Sequence, residues 1–160
     1  MSPPADRRRL IDVALDEASL GHGTPDQEHE RAIAIYDLLQ ENSFALPERD
    51  DGPYKLRVAS QEGRLSLQIE PAESGTSVTH VVPLASFRTL LKDYLLICES
   101  YYASIRTATP TQIEALDRAR RTTHNEAAAL LAERLAGKIE VDEETARRLF
   151  TLIVALHVKA

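Results

Sequence analysis

The sequence predicts an α+β domain: an antiparallel sheet of about four strands covered on one face by helices. Three observations carry that prediction. Strict two-residue alternation runs through residues 54–58 and 65–69, the period of a strand with one buried face. From Ser86 onward the apolar period lengthens to about 3.5, the signature of helix. The elements also follow the order strand, helix, three strands, three helices, and separate runs of strands and helices argue against a doubly wound fold.

Residues 10–15 alternate weakly and read as the first strand, with Ile11, Val13 and Leu15 facing one way. A Gly-His-Gly turn at 21–23 leads into Thr24-Pro25-Asp26-Gln27, which opens a helix by a physical mechanism. Thr24 caps it, Pro25 fits the first turn, and Gln27 completes a capping box. That helix runs to about Asn42, with Ala32, Ile35, Tyr36 and Leu39 expected on its inner face. Residues 43–53 hold Pro47, Asp50, Asp51, Gly52 and Pro53 and read as a loop.

Gln61-Glu62-Gly63 joins the two alternating segments as a hairpin. Residues 71–77 form a second turn, residues 78–82 a further strand, and Pro83 ends it. His80 shares a strand face with Val78 and Val82 and reads as a packed histidine. In the next segment Phe87, Leu91, Tyr94, Cys98, Tyr101 and Ile105 step by four and three along one helix face. Thr109-Pro110-Thr111-Gln112 repeats the capping signature and opens a long helix to about Ala136, stopped by Gly137. Asp142 caps a last helix whose residues Leu149, Phe150, Leu152, Ile153, Val154 and Leu156 leave it apolar on most sides.

Length and charge bound the function. A chain of 160 residues buries a core without staples, and its single cysteine, Cys98, excludes an internal disulfide framework. Residues 1–8 read as a mobile tail and residues 9–160 as one domain. The acidic surplus lies wholly in residues 1–85, which carry 8 Lys and Arg against 15 Asp and Glu. Such a surface repels phosphate backbones, so no nucleic-acid partner is expected. Asp12 and Asp16 interrupt the apolar stretch after Arg7-Arg8-Arg9, and the apolar run 149–158 is half the length a bilayer needs. No membrane is expected, and a cytoplasmic location follows by elimination.

The long helix holds the most informative anomaly. Between Ala119 and Ala127 come Arg120, Arg121, Thr122, Thr123, His124, Asn125 and Glu126, two turns without an apolar residue. Asp117 precedes Arg121 by four and Arg120 precedes His124 by four, so these pairs are neighbours on the helix. One reading is a pocket in which Arg120, Arg121 and His124 receive an anion, since guanidinium groups bind phosphate and carboxylate bidentately. The other is a closed ion network, with Glu99 of the preceding helix paired to Arg120 or Arg121. Glu99, Tyr102 and Arg106 lie at i, i+3 and i+7 on the flank of that helix, and a carboxylate on so apolar a helix calls for a partner. The candidate residues are thus Glu99, Arg106, Asp117, Arg120, Arg121, His124 and Glu126. The scattered histidines and dispersed glycines match no metal, phosphate-loop or nucleophile-elbow spacing, so no metal and no cofactor are expected.

Six strings together resemble a known family: residues 9–13 (Arg-Leu-Ile-Asp-Val), 28–32 (Glu-His-Glu-Arg-Ala), 92–102 (Lys-Asp-Tyr-Leu-Leu-Ile-Cys-Glu-Ser-Tyr-Tyr), 109–115 (Thr-Pro-Thr-Gln-Ile-Glu-Ala), 124–126 (His-Asn-Glu) and 146–153 (Ala-Arg-Arg-Leu-Phe-Thr-Leu-Ile). They resemble the uncharacterised protein family 0262 of alphaproteobacteria, a likeness spanning Arg9 to about His157. The resemblance implies a small bacterial cytoplasmic protein and brings no functional site with it. The residues themselves point to a non-catalytic module that binds a protein partner or forms a homodimer, the apolar last helix supplying the surface. The alternative is a sensor or enzyme for an anionic small molecule, built on Arg120, Arg121 and His124.

Overall fold

The computed structural model describes residues 7–157. The chain forms β1 (Leu10–Leu15), α1 (Glu17–Leu20), α2 (Pro25–Gln40), β2 (Phe44–Ala45), β3 (Tyr54–Gln61), β4 (Arg64–Pro71) and β5 (Val78–Pro83). A 3-10 turn (Leu84–Phe87) leads into α3 (Arg88–Ser104), α4 (Pro110–Leu135), β6 (Glu140–Val141) and α5 (Glu143–His157). The architecture is α+β, with helices on one face of a four-stranded sheet in the order β1-β3-β4-β5.

The sheet is mixed, which corrects the purely antiparallel expectation. β3, β4 and β5 form an antiparallel meander, but β1 runs parallel to β3. The reason is the 16-residue helix between them, which carries the chain back to the end where β1 began. A register shift between Leu10 and Asp12 changes which side chains point inward. Leu10 and Val13 are buried, whereas Ile11 faces solvent, contrary to the simple alternation.

Tyr54, Leu56, Val58, Leu65, Leu67, Ile69 and Val82 turn inward from the meander, while Lys55 and Arg57 face water. Glu62 and Gly63 both have positive φ, 51° and 77°, so the β3–β4 connection is a two-residue turn of the kind that suits hairpin twist. Over the inner face lie α5 and the second half of α4, with Leu131, Leu135, Leu149, Leu152, Ile153 and Leu156 around an apolar void of only about 20 Å³. That is roughly the space of one water, and its lining offers a water no hydrogen bond.

Both capping boxes form as expected: Thr24 and Gln27 exchange backbone bonds at the start of α2, and Thr109 and Gln112 do so at α4. The Asp142 carboxylate accepts from the Thr145 amide at 2.8 Å, capping α5. On α2, however, the buried residues are Arg31, Ala34 and Leu38, one step round from the expected face. Tyr36 is 63% exposed and Ala32 is exposed, while Ile35 and Leu39 are half-buried. Arg31 is what turns the helix. At 4% exposure its guanidinium donates to the Gly21 carbonyl at 2.8 Å and meets Glu28 at 3.3 Å, so a charged group occupies an inward position.

Short ties join the two ends of the chain. β2 and β6 pair antiparallel, and Thr145 Oγ1 accepts from the Ser43 amide at 2.8 Å. The Asn42 side chain accepts from the Leu10 amide at 2.8 Å and donates to the Leu10 carbonyl at 3.1 Å. Arg7 and Arg8, read from the sequence as tail, are held by Asp50 at 3.0 Å and Glu140 at 2.7 Å. The rest of that expected tail, residues 1–6, lies outside the described residues, as do residues 158–160 at the other end. Among the described residues no helix is long and apolar enough to cross a membrane.

Candidate anion-binding pocket

The anomalous stretch of α4 marks where the helix leaves the sheet. Ala127, Ala128, Leu131 and Leu135 are its buried residues, all in the second half, whereas the first half buries no side chain. At that junction Arg120, Arg121 and His124 of α4 face Arg147, Arg148 and Thr151 of α5, with Tyr94 of α3 at the back. They line an open pocket of about 260 Å³, to which Glu144 adds one carboxylate.

Each arginine is held by a partner. Asp117 holds Arg120 Nη2 at 2.5 Å and Arg121 Nε at 3.1 Å, so one carboxylate fixes two guanidinium groups on the same helix. The Asp117 carboxyl is held below its ordinary pKa, first by the hydrogen bond from Arg120 and further by the charges of Arg121 and Arg120. Arg120 also stacks over the Tyr101 ring, its guanidinium carbon 4.7 Å from the centroid, a cation–π contact. Arg147 meets Glu144 at 3.4 Å, and Arg148 donates to the Glu41 carbonyl at 2.9 Å.

His124 is held neutral and oriented. Burial pushes its pKa below 6.5, and the charges of Arg147 and Arg120 push it further the same way. The Thr151 hydroxyl lies 3.1 Å from the Arg147 carbonyl and 2.9 Å from His124 Nε2, within hydrogen-bond reach of both. Tyr94 and Phe150 pack edge-on to the imidazole, with centroids at 5.4 and 5.1 Å. Two buried polar atoms here lack partners among the described residues, Arg120 Nε and His124 Nδ1. Behind them, burial raises the pKa of both the Tyr94 phenol and the Cys98 thiol, which keeps both protonated at neutral pH.

Asp117, Arg120, Arg121 and His124 are thus brought together as the sequence proposed, but the other three candidates stand apart. Glu99 is exposed on α3 and makes no ion pair with Arg120 or Arg121, which corrects the expected interhelical bridge. The physical reason is proximity on α4 itself: Asp117 sits one turn before both arginines and takes the place that Glu99 was assigned. Arg106 lies exposed beyond the end of α3, and Glu126 points to solvent. What the sequence reading missed is the α5 contribution of Arg147, Arg148 and Thr151. The adjacent Arg147-Arg148 pair inside an apolar helix was the available signal, since two consecutive arginines must leave a helix on neighbouring faces. Among the described residues no three His, Cys, Asp or Glu side chains converge as they would around a metal ion.

A family model described as Uncharacterised protein family (UPF0262) matches residues 7–159. The chain is similar to the UPF0262 protein of Methylobacterium radiotolerans, 54% identical over 94% of both chains. It is 52% identical to the UPF0262 protein of Nitrobacter hamburgensis, over 99% of this chain and 98% of the relative. It is also 52% identical to that of Rhizobium etli, over 93% and 94%. No solved structure matches the chain.

Proposed function

The chain belongs to the uncharacterised protein family UPF0262, a name that carries no activity, and we propose from the pocket that the protein is a non-catalytic module binding a small anion. One observation carries the reading: four arginines from two helices line a single open concavity that holds one carboxylate, in a protein of net charge −6. Like charges gathered in one place repel, and a bound anion with two or more negative charges would offset that repulsion while accepting from several guanidinium forks. This puts the anionic-ligand reading ahead of protein–protein interaction at this site, because the guanidinium groups, though held by Asp117, Glu144 and the Glu41 carbonyl, still border open space.

Binding fits better than catalysis. His124 Nε2 is committed to Thr151 and Nδ1 is enclosed, so neither ring nitrogen is presented to a ligand for proton transfer. The phenol and thiol behind it stay protonated. The reading describes a cytoplasmic protein, a setting with which one free thiol and no disulfide agree.

Thermal melts at constant ionic strength test the proposal, with inorganic phosphate and citrate as probes and chloride as control. Phosphate or citrate should raise the melting temperature of the wild type and leave Arg120→Ala/Arg147→Ala unshifted, because only a ligand bound to the folded state adds stability. Equal shifts in both proteins, or none in either, would overturn it.

A further inference from the structure

Seventeen residues long and rich in leucine and tyrosine, α3 has no buried residue. Its inner stripe leans on α4, and its opposite stripe faces water. Along that outward stripe lie Arg88, Lys92, Leu96 and Glu99, flanked by the half-buried Leu95 and the exposed Tyr102, all within about one third of the helix circumference at 100° per residue. Leu96 is 52% and Tyr102 65% exposed. Lys92 and Glu99 make no ion pair among the described residues, although they carry opposite charges on the same face.

We propose that this face docks against the same face of a second copy of the chain, the two α3 helices crossing antiparallel about a two-fold axis between Leu95 and Leu96. The charge pattern selects that occupant. Lys92 and Glu99 are equidistant from the midpoint, each about 5 Å along the helix axis. A two-fold there sets Lys92 opposite Glu99 of the partner subunit, and the reverse, one pair at each end of the leucine contact. A surface that complements itself under a two-fold is the requirement of an isologous dimer. The contact also gives each α3–α4 hairpin, which has no interior of its own, a second layer in the manner of a four-helix bundle.

This dimer is independent of the anion pocket, which opens on the other side of α3. Light scattering of the full chain at high micromolar concentration should give twice the 17.8 kDa chain mass. Lys92→Glu alone and Glu99→Lys alone each place like charges together and should weaken the dimer at least about tenfold. The double variant Lys92→Glu/Glu99→Lys restores opposite pairs and should recover the wild-type mass. Both residues are exposed, so far-ultraviolet circular dichroism should show all three variants folded. A monomeric wild type overturns the proposal, and so does a dimer indifferent to the single reversals or a double variant that stays monomeric. Binding of wild-type monomer to phosphatidylglycerol vesicles through Leu96 and Tyr102 would assign the face to a membrane surface and equally overturn it.

Discussion

The helices α3 and α5 are alike in length and apolar content, yet they have opposite fates. α5 buries Ala146, Leu149, Phe150, Leu152, Ile153, Ala155 and Leu156, while α3 buries nothing. Composition does not distinguish them; their neighbours do. α5 lies between α2 and α4 and beneath the sheet, so three layers close over it, whereas α3 rests mainly on α4 and reaches the core only through half-buried side chains such as Leu90, Leu91 and Tyr94. The sequence offered α5 as the surface awaiting a partner, on the ground that it is apolar on most sides. The fold satisfies α5 internally and leaves the outer face of α3 open.

Truncation inside α5 should have the largest effect. Phe150 is fully buried and packs against Tyr94 and His124, so Phe150→Ala should cost about 3–5 kcal/mol in urea denaturation. The junction between the two helices comes next. Arg120→Ala removes a half-exposed ion pair and a cation–π contact and also relieves arginine crowding, so its loss should stay near ~1 kcal/mol. A cost of 3–5 kcal/mol there would mean a sealed charge network after all, as expected when one partner of a buried pair is removed.

Acid should find the same junction through His124. Its folded pKa lies below 6.5, so the unfolded chain binds this proton more readily. His124's contribution is therefore intact above about pH 6.5 and is lost as pH falls from there through the lowered folded value. Stability measured from pH 8 to pH 5 should fall less steeply in His124→Gln than in wild type. The smallest effect belongs to the open face of α3. Leu96→Ala, assayed dilute enough for single chains, should change stability by no more than ~0.5 kcal/mol. A loss comparable to that of Phe150→Ala would show that α3 is covered by its own chain.

Much of this was legible from local chemistry. The capping boxes at Thr24 and Thr109, the Asp142 cap and the Gln61–Arg64 hairpin depend on residues within a few positions of one another, and all formed as read. The polar stretch of α4 was legible as an interruption of the core. Its partners were not, because Arg147 and Thr151 reach it from another helix and pattern alone does not say which helices meet. The parallel pairing of β1 and the inward turn of Arg31 were hidden for the same reason. One depends on where a crossover returns the chain, the other on the Gly21 carbonyl waiting ten residues earlier.

The Asn42 side chain does more than tie α2 to β1. Its amide offers the Leu10 main chain one acceptor and one donor, the same pair that a peptide unit of an additional strand would present. β1 is an outer strand, and outer strands are where sheets recruit further chains into fibrils. By occupying the outward N–H and C=O of Leu10, a single asparagine ends the sheet there with an internal imitation of a neighbour. The protein can thus carry an apolar, parallel strand at its margin without offering that position as a template for growth.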